Sequence, residues 1–140
     1  MRKLIRYNKR MDKKYTVLIV DDDKFLLDMY RKKFETSGAT VDVAVGSEEA
    51  LAKLRGGAKP DILILDIIMP GMDGIELLQT IRKEKLTESS IVIMLTNESS
   101  PEKIEEAKKL GTKGYIIKAT RIPSEVVDEA MKIAGLKIKN

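Results

Sequence analysis

The chain has 140 residues, with 26 Lys and Arg against 22 Asp and Glu for a net charge of +4, 43% hydrophobic and 34% charged residues, and neither cysteine nor histidine. That length fits one domain of roughly 100 to 200 residues, with no room for a receptor joined to an effector, and its apolar share suffices for a core where a disordered chain's would not. The two absences exclude disulfides, thiolate or imidazole metal sites, cysteine nucleophiles, Ser-His-Asp triads and a phosphohistidine carried by the chain itself.

Residues 1–14 form a basic N-terminal extension, in which Arg2, Lys3, Arg6, Lys9, Arg10, Lys13 and Lys14 face Asp12 alone, and the rest of the chain is net acidic. A run this short reads first as a solvated tail, and any nucleic acid contact would rest on it alone. It has neither the apolar stretch nor the small-residue cleavage site of a secretory signal. The longest apolar run, residues 91–95, is far below the roughly 20 residues of a membrane span. A cytoplasmic protein without a membrane partner is expected. The remaining residues, 15–140, are read as one domain.

Within that domain, short Val- and Ile-rich runs alternate with segments of helical spacing. Residues 17–20 form the first predicted strand and lead into Asp21, Asp22 and Asp23; Leu26, Leu27, Tyr30 and Phe34 then mark a helix that Gly38 ends. Residues 41–45 form the second strand. Ser47 is read as the N-cap of the next helix, with Glu48 and Glu49 favourable in its first turn and Ala50, Leu51 and Leu54 facing the core. Residues 62–65 form the third strand and end at Asp66, followed by Pro70, Gly71 and Gly74 in a tight turn toward a helix carrying Ile75, Leu78 and Ile81. Residues 91–95 form the fourth strand, ending at Thr96. Ser100 caps a helix opened by Pro101 that presents Ile104, Ala107 and Leu110 to the core and stops at Gly111. Residues 115–117 form the fifth strand, ending at Lys118. The last helix carries Val126, Val127, Ala130, Met131, Ile133 and Ala134, an arc wide enough for either deep burial or a partner contact.

Continuous apolar strands are those of a parallel sheet covered on both faces, and five successive βα units with right-handed crossovers make a doubly wound α/β sheet. Such sheets bind ligands at the carboxyl ends of their strands. Those ends supply Asp21, Asp22 and Asp23, then Asp66, Thr96 and Lys118. With the first and third strands adjacent, Asp21, Asp22 and Asp66 would crowd negative charge that a hard divalent cation relieves, and carboxylates with carbonyls and water suit Mg²⁺. A carboxylate can act as a phosphoryl acceptor, and Asp66 is the best candidate. Lys118 would neutralise the transferring oxygens and the Thr96 hydroxyl would bond the phosphate once present.

The segments VLIVDDD (residues 17–23), DILILDIIMPGMDG (61–74), IVIMLTN (91–97) and GYIIK (114–118) resemble, in order and spacing, the receiver domain of two-component response regulators, over about residues 15–133. The resemblance implies a flavodoxin-like (βα)5 fold with strand order 2-1-3-4-5. It implies phosphorylation of Asp66 by a sensor histidine kinase or histidine phosphotransfer protein. Mg²⁺ would be held by Asp21, Asp22, Asp66 and the backbone carbonyl of Ile68. Lys118 would contact the phosphoryl group, and Thr96 and Tyr115 would form a switch that alters the surface of the fourth helix, fifth strand and fifth helix for a downstream protein. The chain would promote only its own phosphorylation and dephosphorylation and not turn over a free substrate. A homodimer formed on phosphorylation stays open, as does an interaction module of the same fold that is never phosphorylated.

Three positions depart from the commonest family pattern. Ala119 stands where proline is usual, so the Lys118–Ala119 bond is expected to be trans, since a cis bond without proline costs about 2.5–4 kcal/mol. Asn97, bulkier than is usual after the Thr, is expected to restrict the site. Ile68 cannot orient an attacking water, so slow self-dephosphorylation is expected. An Asp-nucleophile phosphatase is disfavoured because no second acid stands two residues beyond Asp66, and a flavin or nucleotide site because the first strand runs into acids and not a glycine-rich loop.

Overall fold

A computed structural model describes residues 15–135; the basic leader, residues 1–14, lies outside them. The chain runs β1 (Thr16–Asp21), α1 (Lys24–Thr36), β2 (Thr40–Val45), α2 (Ser47–Arg55), β3 (Ile62–Leu65), α3 (Gly74–Lys83), β4 (Ile91–Thr96), α4 (Pro101–Lys109), β5 (Gly114–Ile117) and α5 (Pro123–Ile133), with a short 3-10 turn, Lys118–Thr120, between the last two. All strand pairs are parallel, and the sheet order is β2-β1-β3-β4-β5.

Alternate strand residues feed two cores, because successive side chains on a strand point to opposite faces. Leu18, Val20, Leu63, Leu65, Val92 and Met94 pack with buried residues of α2, α3 and α4, including Leu51, Leu78 and Ala107. On the other face Val17, Ile19, Ile62, Ile64, Ile93 and Leu95 meet Leu27, Tyr30 and Phe34 of α1 and Val126, Ala130 and Met131 of α5. The three central strands are therefore the continuous apolar runs. The edge strand β2 is not covered in this way: it alternates, leaving Asp42 exposed to pair with Lys53 at 2.8 Å.

Helix ends follow local chemistry with one correction. Asp23 caps α1 by accepting from the Phe25 and Leu26 amides, Asp73 and Glu76 form a reciprocal capping box on α3, and Ser100 caps α4 ahead of Pro101. Ser47 is not the cap of α2. It is the first helical residue, behind Gly46 at φ 88°, and its hydroxyl donates to the Met72 carbonyl at 2.8 Å. A long-range partner outcompeted the local one. In α4 only Ala107 is fully buried, with Ile104 and Leu110 half-buried, whereas α5 buries Val126, Val127, Ala130 and Met131, which accounts for its wide apolar arc by packing within the domain.

The crossovers leave β1 and β3 toward opposite faces, α1 on one side and α3 on the other. This opens a crevice at their carboxyl ends.

Candidate functional site at the carboxyl end of the sheet

The β1–β3 register places Val20 beside Leu65, so Asp21 and Asp66 emerge next to each other where the ladder ends. The pairing extends one step further, with the Asp66 amide donating to the Val20 carbonyl at 3.0 Å. Both carboxylates are buried, at 3% and 5% exposure, while Asp22 stands exposed at the rim. Asp21, Asp22 and Asp66 each offer an oxygen within 4.8 Å of the others. This all-oxygen, doubly buried and singly open set fits a hard divalent cation that keeps part of its water shell.

Lys118 enters the same crevice from the end of β5. Its ammonium donates to Asp21 Oδ2 at 2.6 Å and to Asp66 Oδ2 at 2.8 Å, bridging residues far apart in sequence. Burial alone would lower the Lys118 pKa, but the bonds to both carboxylates outweigh it and hold the amine above its ordinary value. Asp21 is pushed up by burial, which exceeds the opposing pull of Lys118 and of the Asp23 amide. The other oxygens are also engaged: Asp23 N–H donates to Asp21 Oδ1 at 3.0 Å and Ile68 N–H to Asp66 Oδ1 at 3.1 Å. Asp66 is thus aimed by an amide on one side and an ammonium on the other. The Ile68 side chain itself is 56% exposed beside the site.

Thr96 is fully buried at the end of β4, and its hydroxyl accepts from the Glu98 amide at 3.2 Å and from the Ile67 amide at 3.4 Å. It therefore joins the loop after Asp66 to its own loop. Tyr115 is one step further out: its phenol donates to the Glu98 carbonyl at 2.6 Å. Burial, then the negative charges of Glu98 and Asp66, push that phenol up to about 12. The described residues contain no cis peptide, so the Lys118–Ala119 bond is trans.

The residues singled out from sequence thus fall in two groups: Asp21, Asp22, Asp66 and Lys118 share one crevice, and Thr96 at the end of β4 and Tyr115 within β5 both bond to Glu98 on the loop beside it. Asp23 serves as a helix cap and is no part of the cluster. Two residues named from the sequence, Gly74 and Asn97, make contacts that the sequence did not foretell. Gly74 packs against the Asp66 backbone, where an added β-carbon would lie 2.0 Å from the Asp66 carbonyl oxygen. Asn97 turns its amide oxygen to the Ala119 N–H at 2.8 Å. Neither pairing carries a periodic or motif signal.

The family model of the response regulator receiver domain matches residues 17–129. The transcriptional regulatory protein ResD of Bacillus subtilis is 36% identical over 111 residues, covering 79% of this chain but 44% of its own, so this chain spans less than half of that relative. The chemotaxis protein CheY of Halobacterium salinarum is 34% identical over 108 residues, covering 77% of this chain and 88% of its own. Among solved structures, the Vibrio cholerae chemotaxis protein CheY4 superposes with a TM-score of 0.78 at 31% identity, covering 86% of this chain and 99% of its own. A CheY-like receiver domain protein from Methanospirillum hungatei does so with a TM-score of 0.79 at 28% identity, covering 88% and 95%. The chain belongs to the response regulator receiver domain family.

Proposed function

We propose that this receiver domain takes a phosphoryl group onto Asp66 from a phosphohistidine of a sensor histidine kinase or histidine phosphotransfer protein and signals the change to a downstream protein. The observation that carries the reading is the Lys118 ammonium held against both Asp66 and Asp21. It supports a buried carboxylate that meets a doubly negative phosphoryl group with a cation already in place to offset the repulsion. An oxygen of Asp66 forms the new bond to phosphorus as the nitrogen–phosphorus bond of the donor breaks, and the electron pair leaves with the donor's imidazole. These 140 residues, having no histidine, do not supply that donor themselves.

Asp21, Asp22 and Asp66, with the Ile68 carbonyl, would hold Mg²⁺, which when bound neutralises charge on the transferring oxygens. Lys118 shields the two buried carboxylates from one another and offers its protons to the phosphoryl oxygens. The Ile67 amide, already facing the Thr96 hydroxyl, links the acceptor loop to the β4–α4 loop. The Thr96 hydroxyl is free to turn its proton toward a phosphate, and the Glu98 carbonyl would carry that movement to Tyr115. The output surface would be α4, β5 and α5. Ile68 supplies no hydrogen-bonding side chain to steer water onto the acyl phosphate, so the phosphorylated form is long-lived, and Ile68→Asn shortens its lifetime in a radiolabel or mass decay assay; a longer-lived variant would contradict this.

The test is intact mass after incubation with Mg²⁺ and a small-molecule acyl phosphate. One phosphoryl adduct that needs Mg²⁺ and is absent in Asp66→Ala is expected. No adduct on a folded wild type would replace this reading with a phosphorylation-independent interaction module.

A further inference from the structure

The residue after Thr96 and the residue after Lys118 are joined directly. Asn97 Oδ1 accepts from the Ala119 backbone N–H at 2.8 Å, across 22 residues of chain. The assignment of the oxygen is unambiguous, because a backbone amide can only donate and the acceptor must be the carbonyl end of the side chain. Ala119 lies in the 3-10 turn Lys118–Thr120, whose remaining bonds, apart from those of the Lys118 ammonium itself, are local: Thr120 Oγ1 to the Ile117 carbonyl at 3.0 Å and the Arg121 amide to the Lys118 carbonyl at 3.2 Å. Neither local bond restrains the turn against the rest of the sheet. The Asn97 bond does, from a residue that follows the fully buried Thr96 and is therefore anchored by β4.

We propose that Asn97 is a positioning residue for Lys118: by holding the Ala119 N–H it fixes the turn from which the ammonium reaches Asp21 and Asp66. This rests on the phosphoryl-acceptor reading for its consequence, but not for its existence. Lysine is a four-carbon stem with free rotation, so its ammonium keeps one place between two carboxylates only when its backbone is held. The turn emerges at an edge strand, β5, which pairs with β4 on one side and nothing on the other among the described residues. Asn97 also couples the two loops that bear the hydroxyl and the amine, so that any displacement of the β4–α4 loop pulls on the Lys118 backbone. The same bond requires a residue with an N–H at position 119, which alanine supplies and proline would not.

Two variants separate acceptor chemistry from bulk. Asn97→Leu keeps the branched shape and heavy-atom count and removes the acceptor; Asn97→Asp keeps the acceptor. In the full chain, without phosphate, the Lys118 side-chain ammonium is followed by nitrogen–proton NMR, where a group held by two carboxylates exchanges slowly with water, and amide exchange in β1 and β3 reports the fold. The expected result is a Lys118 ammonium signal in wild type and Asn97→Asp, lost or broadened in Asn97→Leu with the strand amides unchanged. Adduct formation with a small acyl phosphate then falls by about threefold to tenfold in Asn97→Leu, the range one lost hydrogen bond allows, and is restored at least in part by Asn97→Asp. An unchanged Lys118 signal in Asn97→Leu overturns the inference, as does equal loss in Asn97→Asp. A wild type that gives no adduct overturns the phosphoryl-acceptor reading alone, and the ammonium signal still decides the role of Asn97.

Discussion

Gly74 lies against the backbone of Asp66 so closely that a β-carbon on it would meet the Asp66 carbonyl oxygen at 2.0 Å and the Ile67 Cα at 2.8 Å, while its amide donates to the Ile67 carbonyl at 2.9 Å. The start of α3 is thus seated on the residue whose side chain faces the crevice. The obstacle is backbone, which cannot rotate away as a side-chain end could. In an exposed helix, alanine would gain about 1 kcal/mol over glycine; here overpacking, at about 1–3 kcal/mol or more, dominates and reverses the sign. Gly74→Ala is expected to lower the urea midpoint and to slow adduct formation at Asp66. A variant as stable and as reactive as wild type would show that the loop yields freely.

Lys118 sits between two buried carboxylates, with its side chain 11% exposed and theirs 4% and 6%. Replacing it with methionine keeps most of its stem and leaves Asp21 and Asp66 facing each other without a cation. Breaking a buried pair in this way costs about 3–5 kcal/mol where burial is complete, and less here because the Lys118 side chain is 11% exposed. Lys118→Met should therefore be less stable than wild type without Mg²⁺. Added Mg²⁺ should raise the melting temperature of the variant more than that of the wild type, since no ammonium competes for the same oxygens. Equal Mg²⁺ responses in calorimetry would contradict this.

The Tyr115 phenol titrates at about 12, above its ordinary value of 10, first because burial disfavours the charged form and then because Glu98 and Asp66 add negative charge. A folded-state value above the unfolded one means that the folded state holds the proton longer. The corresponding stability is fully present below pH about 10 and is lost as pH rises toward 12. Ultraviolet titration of tyrosinate should show a component near pH 12 that Tyr115→Phe removes. The variant also leaves the Glu98 carbonyl without its phenol donor and should lose about 0.5–1.5 kcal/mol at neutral pH. A wild-type curve with every tyrosine near pH 10 would refute the assignment.

Ser47 donates to the Met72 carbonyl and does not cap its own helix. A cap tolerates Ser→Asp, because both accept from backbone amides. A donor to a carbonyl does not, because a carboxylate can only accept and would face the carbonyl oxygen at a 6% exposed position. Ser47→Asp should lose about 1–3 kcal/mol in urea unfolding and more than Ser47→Ala. Retained stability in the Asp variant would restore the capping role.

The strands, the helices between them and the acidic ends of β1 and β3 were legible in the chain because each depends on runs of neighbouring residues. Apolar continuity marks a covered strand, and an Asp directly after it must emerge at the carboxyl end of the sheet. The resemblance of four segments to receiver domains carried the strand order 2-1-3-4-5, which the pairings reproduce. The Ser100 cap and the stops at Gly38 and Gly111 likewise follow from local hydrogen bonding and positive φ.

What the sequence by itself determined was therefore the set of elements and the residues brought to one end of them, since periodicity and capping act over a few residues. Tertiary structure alone decided which side chain each of those residues meets. It gave Ser47 to Met72, Asn97 to Ala119, Tyr115 to the Glu98 carbonyl, and a single ammonium to both Asp21 and Asp66. These partners are 17 to 97 residues apart. A hydrogen bond needs its donor within about 3 Å of its acceptor, and only the packed sheet brings groups so distant in the chain to that range.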